Sequence, residues 1–159
     1  MSENFEKASE TALKLLKFRN TRRGLIDKLR RKGFEKEISE AVADKMEKLG
    51  YINDEDYANA YVSDCITLCR YGRRKIRLGL AQRGVDKAAA EKALKMTDEE
   101  QDLENLRYFL LKAFDDEECI TAVDAEKFRK KMTNRGFLRG QIDTVLSEKT
   151  IIYSEDYNV

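Results

Sequence analysis

The stretch LIDKLRRKGF, residues 25–34, decides the fold of this chain because two later stretches repeat its pattern. In this stretch, Leu25 and Leu29 are four residues apart, and Gly33 follows four residues later. The frame returns as Ile76, Leu80, Gly84 and as Phe128, Met132, Gly136. The glycines are 51 and then 52 residues apart, so the chain is interpreted as one structural repeat present three times.

Each copy of the frame predicts a helix and its end. Apolar residues four apart lie on one face of a helix. A glycine just after the last turn adopts the left-handed conformation readily, and the next residue, here Phe34, then packs back on Leu29 in a Schellman ending. We therefore expect Gly33→Ala, Gly84→Ala and Gly136→Ala each to destabilise the protein by roughly 1 kcal/mol or more.

Composition and apolar periodicity favour an all-α protein. The 159 residues are 42% apolar and 38% charged, and they contain no proline. Three amphipathic helices are predicted in each of three tandem repeats, 1–52, 53–96 and 97–149, followed by a tail, 150–159, that is either docked or frayed. No strand pattern competes, and the repeats are expected to stack as a helical array.

Apolar periodicity and capping residues also predict the limits and faces of several helices. The first helix is expected over about 4–18, and Thr21 is expected to cap the second. Asn53 or Asp54 is the predicted cap of the fourth helix, and Thr97 with Glu100 has capping-box spacing before the seventh. Leu49 and Leu68 continue two of the apolar stripes and are predicted to face inward.

Positive charge is concentrated in the middle helix of every repeat, although the net charge is only +1. Residues 17–36 hold nine cations and two acids, residues 70–87 hold seven and one, and residues 127–139 hold six and none. A solvated helix face would explain one such basic segment. The recurrence of the segment at the same position in three repeats predicts a basic strip. Such a strip suits phosphates or an acidic protein groove.

Other function classes are disfavoured. The chain has no histidine, nucleophile motif, phosphate-binding glycine loop or metal-ligand cluster, so we expect neither catalysis nor a metal or other cofactor. Its cysteines, Cys65, Cys69 and Cys119, are interpreted as small core residues. No apolar run approaches a membrane span and the N-terminus lacks a signal-peptide core, which predicts a cytoplasmic protein without a membrane partner.

Three stretches carry a family resemblance: TRRGLIDKLRRKGF (21–34), LGYINDEDYANAYV (49–62) and YGRRKIRLGLAQRGV (71–85). They resemble the RecX family of recombination regulators. The matching positions are Thr21, Lys28, Leu29, Lys32, Gly33, Asp54, Tyr57, Ala58, Gly72, Ile76, Leu80 and Gly84. Likeness spans roughly Leu13 to Leu94, and it extends more loosely through KFRKKMTNRGF (127–137) to Leu146. Gly24 departs from the family, which usually has glutamate there.

The resemblance implies an elongated, curved array that binds the RecA recombinase and the RecA–ssDNA filament. It also implies inhibition of RecA ATPase and strand exchange in DNA repair, recombination and the SOS response. The cations expected to face RecA or DNA are Arg22, Arg23, Arg30, Arg31, Arg73, Arg74, Arg77, Lys127, Lys130 and Lys131. The alternatives are direct, non-specific nucleic-acid binding without RecA and a helical scaffold for another protein.

Overall fold

The computed structural model describes residues 2–153 and confirms the all-α fold class. Nine helices lie within residues 2–153. The first six are α1 (Ser2–Leu15), α2 (Arg22–Arg31), α3 (Lys36–Lys48), α4 (Asp54–Thr67), α5 (Arg73–Gln82) and α6 (Lys87–Leu94). The remaining elements are α7 (Glu99–Phe114), β1 (Cys119–Thr121), α8 (Ala122–Asn134), α9 (Arg139–Leu146) and β2 (Thr150–Ile152).

The three glycine turns end α2, α5 and α8 as predicted. Gly33, Gly84 and Gly136 have φ angles of 99°, 79° and 95°, in the region that other residues avoid. In the first copy the Phe34 N–H donates to the Leu29 carbonyl at 3.2 Å, which is the 6→1 hydrogen bond of a Schellman ending. Val85 to Leu80 and Phe137 to Met132 make the same bond at 3.1 and 3.2 Å.

Helix limits and faces differ from the sequence prediction in a few places. The seventh helix is capped by Asp98, whose carboxylate accepts from the Gln101 N–H at 2.9 Å, so the Thr97–Glu100 capping box is wrong by one residue. Leu49 and Leu68 are 60% and 77% exposed, although their spacing predicted burial. Both directly follow the last residue of their helix and still donate to the carbonyl four residues back, so the helical spacing continues at these residues without burial.

Two three-residue strands contradict the expectation that no strand is present. β1 and β2 pair in parallel, with Cys119 opposite Thr150 and Ile120 opposite Ile151. Ile120 is buried in the core beside this pair. The strands are shorter than the four to eight residues that a period-2 pattern needs, and they pair only because the fold brings distant segments together. The tail is therefore docked over Thr150–Ile152, and residues 154–159 lie outside the described part.

The chain divides into two compact units with separate cores. The first unit comprises Met1–Val62 and Gly79–Ala93, and the second comprises Ser63–Leu78 and Leu94–Val159. Leu25, Leu29, Val42 and Met46 are central to the core of the first unit. The core of the second unit is built from larger side chains: Leu106, Leu110, Phe128, Met132, Phe137, Ile142 and Leu146. The boundaries of the three repeats, 1–52, 53–96 and 97–149, stay a prediction from the sequence.

Within the first unit, the start of one middle helix contacts the glycine turn of the next repeat. The Thr21 hydroxyl donates to the Arg83 carbonyl at 2.6 Å and accepts from the Gly24 N–H at 3.0 Å, so it also caps α2. The side chain of Arg23 lies over Gly84, leaving no room there for a methyl group. We call this contact the first joint.

Within the second unit, an equivalent contact joins the start of α5 to the turn between α8 and α9. The Gly72 N–H donates to the Arg135 carbonyl at 2.8 Å, and the Arg74 N–H donates to the Gly136 carbonyl at 3.2 Å. A methyl group added to Gly72 would lie 2.3 Å from the Gly136 carbonyl carbon. In this contact, which we call the second joint, the two backbones touch because neither Gly72 nor Gly136 has a side chain.

Removal of the Thr21 hydroxyl is expected to weaken the first joint. Thr21→Val should lower the free energy of unfolding by about 2 kcal/mol, because it removes both a helix cap and a buried hydrogen bond. Thr121→Val is the matched control, since the Thr121 hydroxyl accepts from the Asp124 N–H at 3.1 Å in a cap without a joint. We expect about 1 kcal/mol there. Equal losses in urea unfolding would show that the Arg83 bond contributes nothing.

Candidate functional site

The first arginine of α2 and the first arginine of α5 interact with carboxylates of their own unit. Arg22 Nη2 lies 2.7 Å from Asp44 Oδ1, and its Nε lies 3.7 Å from Glu47 Oε2. Arg73 occupies the equivalent position in α5, donates from Nη2 to the Thr97 carbonyl at 3.0 Å and places Nε 3.2 Å from Asp102 Oδ2. The Arg73 Nε–Asp102 contact is close enough for an ion pair but is not aligned as a hydrogen bond.

The ion pair between Arg73 and Asp102 is buried on the side of the carboxylate. The Asp102 side chain is only 2% exposed, and the Gln141 Nε2 group donates to its Oδ2 at 3.1 Å. Burial raises the pKa of Asp102, while the Gln141 hydrogen bond and the charge of Arg73 act in the opposite direction. Gln141 in turn accepts from the Leu138 N–H at 3.1 Å, which ties this network to the start of α9.

The second arginine of each pair is more exposed than the first, although the stem of Arg23 packs over Gly84 and its Nε lies 4.0 Å from Asp27 Oδ2. Arg23 and Arg74 are exposed, although Arg22 and Arg73 beside them are half-buried. The remaining predicted cations are also exposed: Arg30, Arg31, Arg77, Lys127, Lys130 and Lys131. Arg22, Arg23, Arg30 and Arg31 belong to the first unit, and the other six belong to the second. A continuous strip along all three repeats therefore stays a prediction.

One cavity in the second unit brings two predicted cations together with two others. It has a volume of about 510 Å³ and is lined by Arg74, Glu126, Arg129, Lys130, Thr133, Asn134, Arg139 and Ile142. Arg74 comes from α5, Lys130 from α8 and Arg139 from α9, so three helices supply the charge. Arg129 and Arg139 belong to the basic segment of the third repeat but were not predicted as site residues.

Carboxylates hold Arg129 in the wall of this cavity. Its Nε donates to Asp143 Oδ1 at 2.9 Å, and its Nη1 donates to Glu126 Oε2 at 3.4 Å. The hydrogen bond to Asp143 is the main cause that raises the pKa of Arg129, which remains charged at any physiological pH. Arg139 is more loosely held, with Nε 3.7 Å from Asp143 Oδ2. The one available clue was the four-residue spacing of Arg139 and Asp143.

Other candidate features add little to this site. Cys65 is buried as predicted, but Cys69 and Cys119 are exposed, which corrects their interpretation as core residues. Across residues 2–153, no cluster of histidine, cysteine and carboxylate side chains has the arrangement of a metal site. None of the helices in that range combines the length and apolar character needed to cross a bilayer.

Comparisons with known proteins find similarity to one family. The family model described as the second three-helix domain of RecX matches residues 53–94. Regulatory protein RecX of Amycolatopsis mediterranei is 28% identical, over 97% of this chain and 89% of the relative. Regulatory protein RecX of Caldanaerobacter subterraneus is 34% identical over 80% of this chain, but that alignment spans only 62% of the relative.

The fold comparison agrees with the sequence comparison over nearly the whole chain. A crystal structure of RecX from Lactobacillus salivarius superposes with a TM-score of 0.81 and 25% sequence identity. The match covers 93% of this chain and 97% of the crystallised one. The family model, the relatives and this superposition agree that the chain is similar to RecX proteins in both sequence and fold.

Proposed function

We propose that this protein regulates the RecA recombinase by binding RecA and the RecA–ssDNA filament, and that it lowers RecA ATPase activity and strand exchange. The observation that carries the proposal is the similarity to RecX proteins over nearly the full length of both chains. The relatives are named regulatory proteins, and regulation by a non-enzyme requires a binding surface. Exposed cations on the middle helices supply such a surface.

The environments of the arginines decide which side chains are assigned to partner contacts. Arg22 and Arg73 neutralise carboxylates of their own unit, so we assign them a structural role. The contacts with RecA acids or DNA phosphates are assigned to the exposed cations, because a partner that binds them does not have to break the ion pairs that hold Arg22 and Arg73. The cations assigned to these contacts are Arg23, Arg30, Arg31, Arg74, Lys127, Lys130 and Lys131. Arg77 is exposed on α5 but already interacts within the chain.

A RecA ATPase assay on single-stranded DNA tests this function. The wild-type protein should inhibit hydrolysis at near-stoichiometric concentration. Two charge-reversed variants, Arg30→Glu with Arg31→Glu and Arg74→Glu with Lys130→Glu, should each need about ten times more protein for half inhibition, which corresponds to about 1.4 kcal/mol of binding energy. Arg73 is left native in these variants, because a glutamate there would face the buried Asp102.

The matched control is Lys95→Glu with Lys112→Glu, which makes the same change of charge at exposed sites outside the middle helices. We expect this control to inhibit RecA like the wild type. If wild-type protein in stoichiometric excess leaves the ATPase unchanged, the proposed function is wrong. If that same protein nevertheless binds bare DNA, direct nucleic-acid binding without RecA becomes the better description.

A further inference from the structure

The cavity in the second unit has a strong charge imbalance in a small volume. Four of its eight lining residues are cations, and Glu126 is the one carboxylate among them. Thr133 and Asn134 add neutral hydrogen-bonding groups. Because the volume of about 510 Å³ falls within the usual range of ligand sites, a ligand could reach several of these groups at once.

Two of the four cations are available to a ligand. In the described part of the chain, the side chains of Arg74 and Lys130 make no ion pair, whereas Arg129 is oriented by two carboxylates and Arg139 is near one. The backbone of Arg74 is fixed by the second joint through its N–H bond to Gly136. The cavity therefore combines a preorganised wall with two uncommitted positive charges, which lowers the entropic cost of binding an anion.

The lining also indicates what kind of anion fits. No aromatic side chain lines the cavity, and Ile142 is its one apolar residue, so a nucleobase would find no aromatic ring to stack on. Phosphate groups need only cations and hydrogen-bond donors. We propose that this cavity binds consecutive phosphates of a single-stranded DNA backbone and is indifferent to base sequence. The inference deepens the proposed function, on which it rests, by assigning DNA contact to the second unit.

Fluorescence anisotropy with a labelled oligodeoxythymidylate and the full chain tests this assignment. Arg74→Gln with Lys130→Gln should weaken binding about tenfold near 0.1 M salt. It should also reduce the slope of log affinity against log salt by about 1.4, since each phosphate contact on a single strand contributes about 0.7. The matched control is Lys95→Gln with Lys112→Gln, which removes two exposed cations of the second unit outside the cavity lining and outside the middle helices. It should change affinity less than threefold.

Two results would overturn the assignment. Equal losses in the two double variants would mean that the second unit attracts DNA diffusely and that the cavity is not a site. An unchanged DNA affinity in the cavity variant, with loss of inorganic triphosphate binding measured by calorimetry, would mean that the cavity takes a free polyphosphate instead of DNA. Competition of triphosphate with the oligonucleotide on wild-type protein, absent in the cavity variant, would support a shared phosphate site.

The same variants separate this inference from the function on which it rests. If wild-type protein fails to inhibit RecA but the cavity variant still loses DNA affinity, the regulatory proposal fails and the cavity assignment stands. If wild-type protein inhibits RecA and the cavity variant binds DNA normally, the cavity assignment fails and the regulatory proposal stands.

Discussion

Gly136→Ala is expected to lower the free energy of unfolding by about 3 kcal/mol or more, far beyond the effect of an ordinary helix-ending glycine. About 1 kcal/mol comes from the positive φ angle of Gly136. The rest comes from the second joint, where the new methyl group would lie 2.4 Å from the Lys75 backbone nitrogen and 2.8 Å from the Gly72 carbonyl oxygen. Backbone atoms cannot rotate away, so the joint must open.

The other two glycine turns provide a graded control for this prediction. Nothing lies within 4 Å of a methyl group at Gly33, so Gly33→Ala should cost about 1 kcal/mol from its φ angle alone. Gly84→Ala should be intermediate, since its methyl group meets the side chain of Arg23, which can partly move. Urea unfolding gives the three values, and amide exchange at Gly72 reports opening of the second joint. Equal losses at all three glycines would contradict this explanation.

Arg73→Met is expected to destabilise the protein by about 2–3 kcal/mol at pH 7, because it leaves the buried carboxylate of Asp102 without its cation. We place the value below the usual cost of breaking a buried pair, since the Arg73 side chain is 32% exposed. The matched control is Arg22→Met. Its partners Asp44 and Glu47 are more than half exposed, so the loss should stay below about 1 kcal/mol.

The pH dependence of Arg73→Met follows from the pKa of Asp102. Burial raises this pKa in the folded protein, and loss of the positive charge of Arg73 raises it further. The folded protein then binds the Asp102 proton more tightly than the unfolded protein does. The contribution of Asp102 to stability is therefore greatest below the unfolded pKa of about 3.9 and is lost as the pH rises through the folded value. Arg73→Met should therefore lose more stability than the wild type between about pH 4 and pH 7.

Thermal melts across this pH range check the prediction. Replacing both partners, as Arg73→Met with Asp102→Leu, should recover much of the lost stability, because an apolar pair leaves no unpaired charge. If Arg22→Met and Arg73→Met show parallel pH profiles and equal losses, the burial of Asp102 is not what makes the second pair important.

The sequence was sufficient for features that depend on neighbours along the chain. The three Schellman endings follow from residues within one turn of the glycine, and the structure confirms all three. Leu49 and Leu68 were misassigned because apolar spacing does not show which end of a helix a neighbouring element covers. The pairing of β1 with β2 was missed for a related reason, since each strand is too short to produce a periodic pattern of its own.

The candidate site was less predictable because it depends on contacts between distant segments. Adjacent arginines, such as Arg73 and Arg74, are indistinguishable in sequence, yet the fold turns one toward Asp102 and the other toward solvent. Charge counting therefore found the basic segments but could not separate structural from exposed cations. The cavity was invisible for the same reason, since its lining comes from three helices that only tertiary packing brings together.

The two joints also have a consequence for folding during synthesis. The Thr21 hydroxyl can form its bond only after the Arg83 carbonyl, 62 residues later, has been synthesised. The Gly72 N–H likewise depends on the Arg135 carbonyl. At 5–20 residues per second, a ribosome needs about 3–12 s to make the missing segment. The nascent helices α2 and α5 therefore emerge before the carbonyls that their first turns bind, and a message truncated before the third glycine turn would leave α5 without its joint.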